Sequence, residues 1–149
     1  MTQPILLILG ADHAGFELKE HLKTFLVKKG YGIHDLTPER VAHDDYPLIG
    51  AKAAVLVARD PGTLGVLVCG SGFGMDIAAN RIAGARAATV RTVADAKTAR
   101  AEDHANILIL GERVTGPALA ERIAAAWLAT PYSRAKRHVR RVKELDKKL

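Results

Sequence analysis

A single cysteine, Cys69, stands in the whole sequence. An intramolecular disulfide is therefore excluded, and with it the small secreted folds held by several bridges. Aromatic residues are only 5% of the chain. Apart from Tyr132 none interleaves with the basic C-terminal residues, so the stacking platforms that bind nucleic acid are missing. No apolar stretch approaches the length of a membrane span. The opening MTQPILLILGADH has neither a basic n-region nor a small-residue cleavage site, so it does not read as a signal peptide. The expectation is a cytoplasmic chain with neither a membrane nor a nucleic acid as partner.

What is present fits a globular domain. The chain has 149 residues, 48% hydrophobic and 26% charged. That is enough for a real core in one domain spanning residues 1–149. The net charge of +6 is unevenly placed. Residues 132–149 hold eight Lys and Arg against two acidic residues, and the preceding 131 residues balance at 14 against 14. A neutral body thus carries a basic tail, suited to phosphates or an acidic surface.

Periodicity divides the chain into alternating elements. Apolar runs at Pro4–Leu9, Tyr31–Leu36, Gly65–Cys69, Arg86–Val90 and Asn106–Leu110 read as five strands. Between them, helical spacing covers Phe16–Leu26, Tyr46–Arg59, Asp76–Ile82 and Val93–Glu102. A further helix covers Pro117–Ala129, and a last one after Thr130-Pro131 carries the tail. Strands apolar throughout and separated by helices imply a parallel sheet covered on both faces. Ligands of such sheets gather at the carboxyl ends of the strands. That singles out Gly10–Gly15, Cys69–Asp76 and Gly111–Gly116.

Cys69–Asp76 reads CGSGFGMD. Its glycines, Gly70, Gly72 and Gly74, alternate, unlike the dinucleotide pattern, and no Gly-Lys-Ser/Thr follows as in a Walker loop. The loop's backbone amides can converge on an oxyanion at a helix N-terminus. Positive potential there would favour a thiolate on Cys69, the reactive form. A buried structural thiol fits the spacing equally well. Asp12-His13, after the first strand, suits hydrogen bonding to hydroxyls or proton transfer, and Asp12 also suits helix capping. His21 and His34 read as surface residues, and His43-Asp44-Asp45 as a loop without metal-ligand spacing. Arg137 and Arg141 share a helix face, which suits a phosphate dianion, although a solvated basic face is the commoner meaning of such a pair.

The motifs GADHAGFELKEHL, DDYP, GVLVCGSGFGMDIAANRIAGARAA, NILILGERVTG and RHVRRV, in this order, resemble the family of ribose-5-phosphate isomerase B and galactose-6-phosphate isomerase. The resemblance covers nearly the whole chain. It implies an α/β fold, a Rossmann-like three-layer α/β/α sandwich with a five-stranded parallel sheet. It also implies aldose–ketose isomerisation of a phosphorylated sugar, most simply ribose 5-phosphate to ribulose 5-phosphate, with no metal and no cofactor. By the same resemblance Cys69 is the base, and Gly70, Ser71, Gly72, Phe73 and Gly74 hold the developing oxyanion or a hydroxyl. Asp12, His13 and Tyr46 contact the sugar, and His13, Arg113, Arg137 and Arg141 the phosphate. The partner is a second copy of the chain: the tail arginines reach a neighbour's site in a homodimer or tetramer.

One segment departs from the pattern. Where the family reads His-Asn-Asp-x-Asn, this chain reads Glu102-Asp103-His104-Ala105-Asn106. Glu102 stands in place of the histidine credited with ring opening, and Asp103 in place of an asparagine that holds a substrate oxygen. Either Glu102 or His13 opens the ring, or the substrate is a tetrose 4-phosphate that forms no such ring. A hexose 6-phosphate substrate and a non-catalytic phosphosugar-binding subunit complete the alternatives.

Overall fold

The structure, a computed structural model, describes residues 3–147. Five strands, β1 (Leu6–Ala11), β2 (Gly32–Asp35), β3 (Leu64–Cys69), β4 (Ala87–Thr89) and β5 (Ile107–Gly111), form one parallel sheet in the order β2-β1-β3-β5-β4. Six helices accompany them: α1 (Phe16–Lys28), α2 (Tyr46–Arg59), α3 (Phe73–Asn80), α4 (Val93–Glu102), α5 (Pro117–Ala129) and α6 (Lys136–Leu145). Among the described residues no helix is long and apolar enough to cross a membrane.

The central strands are apolar at every position because both of their faces are covered. Side chains alternate across a strand. Leu7, Leu9, Val66, Val68, Leu108 and Leu110 therefore face α1 and α5, where Leu22 and Trp127 pack against them. Ile8, Leu67, Cys69, Ile107 and Ile109 point the other way, onto Ala53, Ala54 and Val57 of α2 and Met75 and Ala79 of α3. The expected three layers and five parallel strands are thus in place. Several boundaries differ from the sequence reading, β1 running Leu6–Ala11 rather than Pro4–Leu9 among them, and two of the shifts have a clear cause. Helix α3 begins at Phe73, not Asp76, because Gly72 takes a left-handed φ of 90° and turns the chain straight into the helix. Strand β4 is only three residues long, as suits an edge strand whose outer side has no partner strand.

The most deeply buried charged side chain among the described residues is that of Lys19. Lys19 is fully buried, with Nζ 2.8 Å from Asp35 Oδ2 and 2.7 Å from the Thr37 carbonyl. Burial works against the charge on Asp35, but hydrogen bonds from Lys19 and Lys23 leave its pKa lowered. An acid depressed in the folded state stabilises the fold above its unfolded pKa, roughly 3.9, and loses that stabilisation as pH falls through the folded value. Asp35→Asn is expected to lower unfolding free energy by about 1–3 kcal/mol at pH 7, because it leaves the buried ammonium with only the more exposed Glu20 carboxylate, 2.5 Å away, as counter-charge. The gap to wild type in urea denaturation should narrow below about pH 4.

Candidate active site

The strand order places a crevice. The chain steps from β1 outward to β2, then returns to build β3 on the other side of β1, so the loops after β1 and β3 diverge at a switch point. Ala11 pairs with Val68, and Cys69 with Gly111, so Asp12, Gly70 and Glu112 leave the sheet side by side. A cavity of about 340 Å³ opens between them. The β1 loop lends it Asp12 and His13, and the β3 loop Cys69, Gly70, Ser71 and Gly74. The start of α2 adds Asp44 and Tyr46, and the β5 loop Arg113. The three segments singled out by the strand-end rule converge here.

Cys69 is buried, and its Sγ accepts a hydrogen bond of 3.2 Å from the Gly72 amide. Gly72 is the N-cap of α3, so the sulfur lies at a helix N-terminus. Ser71 Oγ accepts from the Phe73 amide at 3.3 Å at the same helix end. The Arg113 guanidinium lies flat on Gly70: a Cβ there would come within 2.7 Å of its Cζ. Gly74 makes room for the Tyr46 ring in the same way, since a Cβ would stand 2.5 Å from it. Phe73 is different. Its side chain is exposed, with the Arg91 guanidinium 4.9 Å above its ring, and it does not line the cavity.

Asp12 Oδ1 accepts from the amides of Ala14 and Gly15, each at 3.0 Å. The carboxylate thus pins the turn before α1 as well as lining the cavity. Burial pushes its pKa up, in spite of those amides and of His13. His13 is held by Asp44, whose Oδ1 accepts from the His13 amide at 2.6 Å and lies 3.3 Å from ring Nδ1. Asp44, like Ala14 and Asp45, lines the cavity without having been a candidate in the sequence. Its signal was its place at the head of DDYP, two residues ahead of Tyr46.

The remaining candidates form a second group elsewhere. Glu102 ends α4 and Asp103 caps it, just before β5 begins, at the amino ends of the strands. Helix α6, which carries Arg137 and Arg141, docks at that same end. The Ser133 amide donates to the Ala101 carbonyl, His138 Nε2 lies 3.9 Å from Glu102 Oε2, and Asp146 pairs with Arg86 at 2.9 Å. Six residues of β3 separate this end from Cys69, a rise of roughly 17–20 Å. Within one chain, then, Asp12, His13, Tyr46, the Cys69 loop and Arg113 come together, and Glu102, Asp103, Arg137 and Arg141 do not join them. Arg134, one turn before Arg137 in the sequence reading, precedes the helix with a left-handed φ of 56°.

The model of the Ribose/Galactose Isomerase family matches residues 7–145. The chain belongs to that family. Ribose-5-phosphate isomerase B of Mycobacterium tuberculosis is 42% identical over 135 residues, 90% of this chain and 83% of its own length. Galactose-6-phosphate isomerase subunit LacB of Clostridium acetobutylicum is 34% identical over 138 residues, covering 93% of this chain and 80% of its own. The solved structure of Clostridium thermocellum ribose-5-phosphate isomerase B superposes with a TM-score of 0.91 at 38% identity, covering 95% of each chain. As a member of this isomerase family the protein has a cavity with suitable chemistry. A sulfur fixed by an amide, the polar side chains of Asp12, His13 and Tyr46 around it and the Arg113 guanidinium at the rim can hold an oxygen-rich anion beside a proton acceptor.

Proposed function

We propose that this family member interconverts ribose 5-phosphate and ribulose 5-phosphate, with Cys69 as the base. The observation that carries this reading is the Cys69 sulfur, held by the Gly72 amide at the wall of a polar cavity between Asp12 and Arg113. The Cys69 thiolate takes the proton from C2 of the open-chain aldose. The C–H electron pair forms the C1–C2 double bond, and the C1 carbonyl becomes an enediolate oxygen. Loop amides and Ser71 stabilise that oxygen, a contribution of about 2.7–4 kcal/mol per donor where it has been tested in other enzymes. A proton moves from the C2 hydroxyl to O1, the C2 carbonyl forms, and the thiol returns its proton to C1. Asp12, His13 and Tyr46 bind the hydroxyls.

Arg113 anchors the phosphate together with Arg137 and Arg141 of a second copy. The two separated groups of residues support this. Glu102, Asp103, Arg137 and Arg141 sit together at one end of the sheet, the Cys69 cavity opens at the other, and a homodimer that apposes unlike ends completes both sites. The higher identity to ribose-5-phosphate isomerase B than to the galactose-6-phosphate relative favours the pentose over the hexose. Glu102 favours one other reading. If no ring-opening histidine is present, a tetrose 4-phosphate, which needs no ring opening, is the better substrate.

The test is proton NMR in D2O with ribose 5-phosphate, a tetrose 4-phosphate and a hexose 6-phosphate in parallel. Deuterium at C2 of ribose 5-phosphate, with ribulose 5-phosphate appearing, is the expected result. Exchange confined to the tetrose would move the assignment to the shorter sugar. No exchange with any of the three would leave a phosphosugar-binding subunit.

A further inference from the structure

The amide that holds the Cys69 sulfur belongs to Gly72, and Gly72 has its own support. The Thr89 methyl packs on it so closely that a Cβ on Gly72 would lie 2.9 Å from Thr89 Cγ2. Thr89 is in turn gripped by Asp76, whose Oδ2 accepts from the Thr89 amide and from the Thr89 hydroxyl, both at 2.8 Å. The hydroxyl also lies 3.4 Å from the Gly72 carbonyl. One turn along α3, Asn80 donates to Asp76 Oδ1 at 2.8 Å. Its side chain also pairs with both the amide and the carbonyl of Ala87, each at 2.9 Å.

The geometry of β4 explains why these side chains are there. It is the edge strand, and the amides of Ala87 and Thr89 face away from β5. Asp76 and Asn80 take up those amides as a neighbouring strand would, which closes the edge and fastens α3 along it. A carboxylate suits the task because it accepts from three donors at once and sits in the first turn of a helix, where negative charge is favoured. The helix end that carries Gly72 cannot then move relative to β4 without breaking the clamp.

We infer that Asp76 is a positioning residue for the isomerisation, acting through Thr89 to aim the Gly72 amide at the Cys69 sulfur. This rests on the reading of Cys69 as the base. None of Asp76, Asn80 and Thr89 lines the cavity. The clamp's effect on rate comes from sub-ångström placement, and a misplacement of about 1 Å can cost on the order of 100-fold.

The test uses Thr89→Val, which keeps the methyl and the shape but loses the hydroxyl held by Asp76. The expected result is a fall in kcat of about 10- to 100-fold with KM unchanged, since no binding group is removed. Hydrogen exchange at the Gly72 amide should be faster by about tenfold as the loop loosens. Thr89→Ser, which keeps the hydroxyl, should recover most of kcat. Wild-type kcat in Thr89→Val, or unchanged Gly72 exchange, would overturn the clamp; so would a loss that Thr89→Ser fails to recover. The exchange measurement needs no turnover. Failure of the base reading would show separately, as turnover by Cys69→Ala.

Discussion

Cys69→Ala is expected to lower kcat for ribose 5-phosphate by about 10²–10⁴-fold, the usual contribution of a positioned general base. The fold should survive. The thiol packs among Ile8, Met75 and Ile109 in a core that is otherwise complete, and removing one sulfur leaves a small void that costs about 1 kcal/mol. Phosphate binding should survive too, because no arginine changes. The diagnostic is the pairing of those results: near-normal protection by ribose 5-phosphate in thermal melts, and no loss of deuterium from C2 of labelled substrate. Cys69→Ser sharpens it. The hydroxyl can still accept from Gly72, but it does not ionise near neutral pH, so this variant should also be inactive. Washout of C2 deuterium at a rate near wild type in either variant would remove Cys69 from the mechanism. The search for the base would then move to Asp12, whose pKa is raised by burial in the same cavity.

Much of this architecture was legible in the chain. Pro4–Leu9, Gly65–Cys69 and Asn106–Leu110 read as strands because a parallel strand buried on both faces has little polar sequence to interrupt it. The strand-end rule then located Asp12, Cys69 and Arg113 together without any coordinates. The start of α3 was harder, since a glycine alternating with Ser71 and Phe73 carries no helical signal. What decides it is the left-handed φ of Gly72, a property of one backbone angle. Asp44 was hidden for a related reason. In sequence it is one of two aspartates in a polar loop; in space its carboxylate turns back across 31 residues to hold His13. Least legible was the division of the site residues into two groups. Spacing along the chain says that Arg137 and Arg141 share a face. It does not say that their helix docks at the amino ends of the strands, which follows from contacts such as Arg86–Asp146 and Ser133–Ala101.

That division yields the second large effect. Arg137→Ala with Arg141→Ala in one chain should raise KM for ribose 5-phosphate by about 100-fold or more, since each guanidinium removed forfeits charge-assisted bonds of roughly 1.5–3 kcal/mol. The location of α6 makes a stronger demand. If the arginines serve a neighbour's cavity, the double variant and Cys69→Ala damage different halves of each composite site. In a mixed dimer one site then carries both lesions and the other carries neither. At substrate concentrations far below the variant's KM both proteins are nearly silent, and co-refolded in equal amounts they should regain about one quarter of wild-type kcat/KM: half of the dimers are mixed, and each has one intact site of two. A site built within a single chain predicts no recovery at any mixing ratio, because every cavity keeps the lesion it started with. Recovery that follows the fraction of mixed dimers across mixing ratios would tie the two ends of the sheet to one reaction.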